Sequence, residues 1–299
     1  MMDLPPVRSI VSGADGLIGS RLLHLHGGSH TLIPARLADE FNLLDRDSVF
    51  QYIERHASAA DSLIHLAAFT DVSSAHQQNG DKSGLCYQLN VEGTSHVVDA
   101  CNEFGLHLVH ISTDFVFEGT CESPIDESST PRPIEWYGET KWLAEELVTA
   151  TADHWTILRI AFPYFREPGV RPDLVTQMRG KLSRGEPLYL FDDQIITPTF
   201  ADDIADALIR MASLRPDGEL FHVVGNDPVS PCTLGHAVAK AGGYDAGGIV
   251  QTFLVEYLKK DPRPRQRYLA VDNSKYRRFC AEHGWNGPLD LATALALKA

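Results

Sequence analysis

Short apolar runs alternate with amphipathic stretches through the first half of the chain, the pattern left by successive βα units. The runs predict strands over residues 7–12, 31–35 and 62–66, with a helix over residues 17–25 between the first two. Apolar spacing at Val49, Phe50 and Ile53 predicts a helix over residues 45–55. A long helix is expected over 87–104, followed by a fourth strand at 108–112. Residues 118–135, rich in proline, serine and glutamate, read as a loop. A helix starts near Tyr137, and residues 156–160 form another β-rich run. Strands alternating with helices imply a mostly parallel sheet covered on both faces. The expected class is therefore α/β, a Rossmann-type doubly wound parallel sheet.

After Phe165 the rhythm changes. Pro168, Gly169, Pro172, Gly180, Gly185 and Pro187 punctuate the chain, and helices no longer alternate strictly with strands. This predicts two parts, residues 1–165 and a smaller C-terminal part over 166–299. Residues 220–224 are a late strand that could return to the first sheet. No internal repeat or low-complexity tract interrupts the chain.

Composition narrows the class. Among 299 residues, 43% are hydrophobic and 22% charged, enough apolar material for a packed core. With 26 basic against 40 acidic side chains the net charge is −14, a field that disfavours a long phosphate backbone and so excludes non-specific nucleic-acid binding. No apolar run reaches the ~18–20 residues that span a bilayer. The N-terminus lacks the basic-then-apolar pattern of a secretory signal. The five cysteines are scattered, odd in number and never in a C-x-x-C pair, which points to reduced thiols rather than a disulfide framework or structural zinc. A globular, cytoplasmic protein is expected.

Directly after the first predicted strand stands Gly13-Ala14-Asp15-Gly16-Leu17-Ile18-Gly19, a G-x-x-G-x-x-G opening a helix. Gly13 permits a tight turn, Gly16 lets backbone approach a pyrophosphate, and Gly19 allows helix to pack on strand. The pyrophosphate would meet the free N–H groups of the helix N-terminus. Residues 1–165 thus read as a dinucleotide-binding part, with Asp15 expected to face solvent. At the end of the second strand, where an acid usually holds the ribose of NAD, the chain has Arg36. A guanidinium there pairs with a 2′-phosphate, so NADPH is the expected cofactor, with NADH as the alternative; a solvated surface arginine is the plain reading.

Tyr137-Gly138-Glu139-Thr140-Lys141 places a phenol and an ammonium at i and i+4, on one helix face. The lysine would lower the phenol's pKa from its usual ~10, making it a proton donor to a carbonyl oxygen. The pair follows the strand ending in His110-Ile111-Ser112-Thr113-Asp114, whose hydroxyl emerges at the sheet edge where ligands of open α/β sheets bind.

With these segments the chain resembles an extended short-chain dehydrogenase/reductase of the dTDP-4-dehydrorhamnose reductase group. The matching strings include His65-Leu66-Ala67-Ala68-Phe69-Thr70-Asp71-Val72, Asn90-Val91-Glu92-Gly93-Thr94 and Ser112-Thr113-Asp114-Phe115-Val116-Phe117. Asp192-Asp193-Gln194-Ile195-Ile196-Thr197-Pro198-Thr199 and Val271-Asp272-Asn273-Ser274-Lys275 extend them towards the C-terminus. The resemblance implies a catalytic hydroxyl at Thr113, a proton donor at Tyr137 and a lysine at Lys141 that also holds the cofactor ribose. It puts Asp114 against the sugar, Ala67, Ala68 and Phe69 beside the cofactor, and Asn42 and Leu43 near the adenine. Asn42 stands where the group usually has aspartate, and Phe162 where it usually has a tryptophan against the sugar. The implied reaction is NADPH-dependent reduction of a keto group on a nucleotide-linked sugar, as in dTDP-rhamnose biosynthesis.

The nucleotide diphosphate of such a substrate needs cations. Residues 259–278 hold eight basic residues and two acids, Arg263 and Arg265 among the former; Arg166 and Arg171 are alternatives, and a merely solvated face is the plain reading. The thirteen histidines show no metal spacing, and none is expected to hold one. Two other functions share the same features. One is an NAD-dependent sugar-nucleotide epimerase or dehydratase; dehydratases usually need an extra acid, as which Asp114 could be misread, and the Arg36 signal for a dissociable NADPH argues against this alternative. The other is a non-catalytic NADP-binding regulatory subunit like that of methionine adenosyltransferase. The sequence leaves a homodimer open.

Overall fold

The computed structural model describes residues 5–166, 172–261 and 263–297. The first half of the chain contributes β1 (Arg8–Ser12), β2 (Thr31–Ala35), β3 (Ser62–His65), β4 (His107–Thr113) and β5 (Trp155–Ile160). The second half adds β6 (Pro163–Tyr164), β7 (Leu188–Phe191), β8 (Thr199–Phe200), β9 (Glu219–His222) and β10 (Ile249–Thr252). Six strands pair in the order β2-β1-β3-β4-β5-β9, every pair parallel. This is the Rossmann-type sheet, and β9 is its last strand, so a segment from late in the chain completes the first core. The β7–β10 and β6–β8 pairs form two small separate sheets.

The strands are apolar on both faces because both are covered. Val11, Ile64, Val109 and Leu158 point to one side, against the helices Leu17–His26 and Ala201–Leu214. Their neighbours Ile10, Leu63, Leu108 and Ile157 point to the other, against Arg46–Ala57 and Gly93–Phe104. All eight side chains are fully buried, at roughly 1.5–3 kcal/mol each. A further core, built on Met178, Leu190, Phe200 and Leu234, lies wholly in the second half.

One predicted helix differs in detail. The segment expected as a single helix over 87–104 is helical throughout, with a short α-helix at Leu85–Tyr87, a π-helical turn at Gln88–Glu92 and the α-helix Gly93–Phe104. The wider turn coincides with long-range bonds of Asn90. Its Oδ1 accepts from Phe69 N at 2.7 Å and its Nδ2 donates to Thr140 Oγ1 at 2.9 Å. Single π-turns of this kind occur frequently at functional sites.

Candidate active site

The carboxyl ends of β1, β3, β4 and β5 open into one cleft of about 550 Å³. Strand order reverses between β1 and β3, and ligands of open α/β sheets bind at such a point.

The floor is the glycine loop. Gly13 sits at φ +69°, and a Cβ there would lie 2.6 Å from Ala67 N, so the loop after β1 touches the loop after β3. A Cβ on Gly19 would lie 2.3 Å from Gly13 O, so the helix begins directly on the turn. Gly16 precedes the helix Leu17–His26 without any side-chain cap, which leaves its first N–H groups for an anion. The loop after β3 is anchored through a chain of bonds with one consistent proton arrangement. Thr94 donates to Asn90 O, so His65 Nε2–H donates to Thr94 Oγ1, and Ser12 Oγ donates to His65 Nδ1 at 2.7 Å. Ser12 Oγ in turn accepts from Leu66 N and Ala67 N.

The opposite wall is the start of the helix Trp136–Thr151. Glu135 caps it, accepting from Tyr137 N at 3.1 Å and Gly138 N at 2.7 Å. Only glycine fits at 138, where a Cβ would lie 2.2 Å from Phe115 O. This contact seats the helix against the turn after β4. Tyr137 shares a hydrogen bond with Thr113, whose hydroxyl donates to Asp114 Oδ1 at 3.2 Å. Phe115 meets the Tyr137 ring edge-to-face and also contacts Phe162. Phe162 lines the cleft with a left-handed φ of +39°, an uncommon strain for a bulky side chain.

The electrostatics correct one expectation. The sequence predicts that Lys141 lowers the Tyr137 pKa, yet burial dominates and holds the phenol above its ordinary value, with Glu135 and Asp114 acting the same way. Lys141 Nζ instead lies 3.3 Å from His110 Nε2 on β4. Burial lowers Lys141 to about 8, against the raising effect of Glu145 and Cys86. Burial also raises Glu135 and Asp114, each to about 7.

Asp114 carries a pH signature. Between its unfolded value of about 4 and its folded value of about 7, the native state keeps a proton that the unfolded chain releases. Its contribution to stability therefore falls as pH rises through that window. Asp114→Asn should gain thermal stability over the wild type at pH 8 and lose that advantage by pH 4. Melting curves across the range test this, and a pH-independent difference would refute it.

Of the residues singled out by sequence, Gly13, Gly16, Leu17, Ile18 and Gly19 border the cleft, as do Leu43, Ala67 and Ala68. Thr113, Asp114, Tyr137, Lys141 and Phe162 border it from the other side. Phe69 does not; it packs beside Tyr137 and Trp136. The Asn42 amide turns back to accept from Leu44 N. Arg36 lies at the end of β2, and Asp15 faces solvent as expected, though its carboxylate also pairs with the Arg36 guanidinium at 2.6 Å, with Asp39 at 3.6 Å.

The basic cluster is less basic in space than along the chain. Lys259 pairs with Glu256, Lys275 with Glu219 and Arg267 with Asp193, all acids outside the window that sequence defines. Arg263 and Arg265 do not border the cleft. Arg263 donates to Ser73 Oγ at 2.5 Å, and Arg265 lies over Tyr257 beside Asp261. Arg166 accepts at its carbonyl from Arg179, and Arg171 lies outside the described residues. Sequence reasoning missed Ser112, whose hydroxyl is buried at the cleft without a partner among the described residues, and the pairing of His110 with Lys141.

Comparison with known proteins gives the same outline. Residues 7–294 match the family model described as "RmlD substrate binding domain". A dTDP-4-dehydrorhamnose reductase of Mycobacterium tuberculosis is 27% identical over 298 residues, covering 98% of this chain and 93% of the relative. A dTDP-4-keto-6-deoxy-D-glucose reductase of Streptomyces niveus is 28% identical, with 89% of each chain covered. The fold superimposes on a dTDP-4-dehydrorhamnose reductase of Bacillus anthracis in complex with NADP with a TM-score of 0.85, at 23% identity and over 97% of this chain and 98% of that one.

Proposed function

The chain belongs to the RmlD substrate binding domain family, and from that premise we propose that it reduces the keto group of a nucleotide-linked sugar with NADPH. The observation that carries this reading is the meeting of Thr113, Tyr137 and Lys141 in one cleft, facing the glycine loop. The relatives named for reduction of 4-keto sugars linked to dTDP support the substrate class.

The residues present fit a dinucleotide. A Cβ at Gly13 or Gly19 would clash with backbone, no side chain caps the helix that follows, and among the described residues the Ser112 hydroxyl and Asp114 Oδ2, in the same cleft, are buried without partners. The glycine loop would hold the pyrophosphate and Leu43, Ala67 and Ala68 would border the rings. When bound, the nicotinamide supplies the hydride. The chain's own residues manage the oxygen. Tyr137, kept protonated by its burial, gives its proton to the developing alkoxide, and Thr113 holds that oxygen by a hydrogen bond. Lys141 places its charge beside the ribose and the phenol. Asp114 and Phe162 contact the sugar, Phe162 where a larger indole would otherwise stand. Residues after 165 select the nucleotide; Arg263 and Arg265, which stand outside the cleft, would have to leave Ser73 and Asp261 to meet its diphosphate. A cytoplasmic setting belongs to the same proposal.

The test is direct: NADPH absorbance should fall when the protein is mixed with a dTDP-linked 4-keto sugar, and no loss with any keto-sugar nucleotide would overturn the reading in favour of a non-catalytic subunit. The same assay reads cofactor choice. Arg36 must exchange Asp15 for a 2′-phosphate, so the preference for NADPH is blunted by the resident carboxylate. Asp15→Asn should tighten NADPH about five-fold or less, the scale of an exposed ion pair, and leave NADH unchanged. Arg36→Asp should reverse the preference. Equal binding of both cofactors before and after would make Arg36 a surface residue only.

A further inference from the structure

We propose that His110 is a positioning residue for Lys141: its Nε2 accepts a hydrogen bond from the lysine ammonium and fixes that charge at the carboxyl edge of β4. The proposal rests on the reductase reading above for its kinetic consequences, though not for the hydrogen bond itself.

The geometry leaves little freedom. His110 is fully buried on β4, three residues before Thr113, and its Nε2 lies 3.3 Å from Lys141 Nζ. An ammonium has no acceptor, so the imidazole must present a bare Nε2 and carry its proton on Nδ1. Nδ1 is buried and has no partner among the described residues. A polar group held unpartnered in the core is costly, and an aliphatic side chain would fill the same place without that cost. What the imidazole provides in exchange is the acceptor for Lys141. His65 stands behind it, with ring centroids 5.4 Å apart, and its own nitrogens are both committed to Ser12 and Thr94. Both imidazoles are kept neutral by burial and by the Lys141 charge, so neither competes with the lysine for a proton.

The groups that face Lys141 can be named from each neighbouring element. Glu145 lies one turn along its own helix, Cys86 on the turn Leu85–Tyr87, His110 on β4 and His65 on β3. Glu145 and Cys86 act through charge. His110 supplies the direct acceptor, and that bond sets where the ammonium points.

The test compares the wild type with His110→Leu, which fills the space without an acceptor, and with His110→Gln, whose amide oxygen reaches the Nε2 position. Lys141 is followed by NMR of 13C-labelled lysine, its signal identified by its absence in Lys141→Met. In His110→Leu, Lys141 should titrate about one pH unit lower, the loss of one hydrogen bond to a charged group, and His110→Gln should restore most of that shift. A drop of one unit from about 8 leaves half of Lys141 protonated at pH 7. The kcat of His110→Leu should therefore fall about two-fold there and further as pH rises, with the alkaline limb of its profile moved down about one unit and its melting temperature unchanged or higher. A merely structural histidine would lower melting temperature and activity together, and glutamine would not rescue the titration. Identical Lys141 titration in all three proteins overturns the proposal. If the wild type reduces no sugar nucleotide, the reductase reading fails, while the NMR titration still decides whether His110 holds Lys141.

Discussion

Tyr137→Phe should lower kcat by about 10²–10⁴ while leaving NADPH affinity within a few-fold of the wild type. The ring of Tyr137 packs against Phe115 and the Phe69–Trp136 cluster, and phenylalanine preserves those contacts. Only the hydroxyl that meets Thr113 is lost. Burial keeps the phenol protonated through the physiological range, so the group that is removed is a donor held ready rather than a phenolate. Lys141→Met should behave differently under the proposed roles, damaging both kcat and cofactor binding, because the proposal has the lysine hold the cofactor ribose as well as support the proton donor. Stopped-flow fluorescence for NADPH binding and steady-state turnover separate the two effects. Equal and small effects from both substitutions would remove the Thr113–Tyr137–Lys141 assignment.

The contrast between Tyr137 and Lys141 also marks where the sequence was legible. Parallel strands buried on both faces must be apolar at consecutive positions, and pairs such as Ile10–Val11 and Leu63–Ile64 betray them without any homology. The glycine loop was legible because close backbone approach leaves no alternative residue at Gly13 or Gly19. What sequence spacing cannot supply is the partner of a side chain from a distant strand. Tyr137 and Lys141 are one turn apart, yet the ammonium is taken up by His110, thirty-one residues earlier, and burial decides the phenol's pKa. The π-turn after Tyr87 is of the same kind, since Asn90 there bonds Phe69 and Thr140 from distant segments as well as Cys86 on its own helix. The charge excess of residues 259–278 fades for a related reason: Glu219 and Asp193 reach it from other parts of the fold. Asp15, inside the glycine loop, was visible, but its grip on Arg36 was not.

The same helix that carries Tyr137 and Lys141 is tied to the sheet by an almost fully buried ion pair, and breaking it should cost more stability than most single surface changes could. Arg159 on β5 meets Glu145 through two parallel bonds of 2.9 and 2.6 Å, with both side chains almost fully buried. The guanidinium also lies over the Phe117 ring and 3.4 Å from His222 Nε2, which burial keeps neutral, lowering its pKa to about 3. Removing one partner leaves the other charged and dry, so Arg159→Met or Glu145→Leu alone should each lose about 3–5 kcal/mol in urea unfolding. Replacing both should recover most of that loss, because two apolar side chains in contact need no desolvated charge. Activity should not recover in step. Glu145 raises the Lys141 pKa from one helical turn away, against the lowering effect of burial, so the refolded double variant has lost one of the charges that favour the protonated lysine. Its kcat profile should therefore turn down at lower pH than the wild type, even where its stability is near normal. Single variants that lose less than about 1 kcal/mol would show the pair to be solvated in solution. A double variant with the wild-type alkaline limb would show that Glu145 acts on the helix alone and not on the lysine.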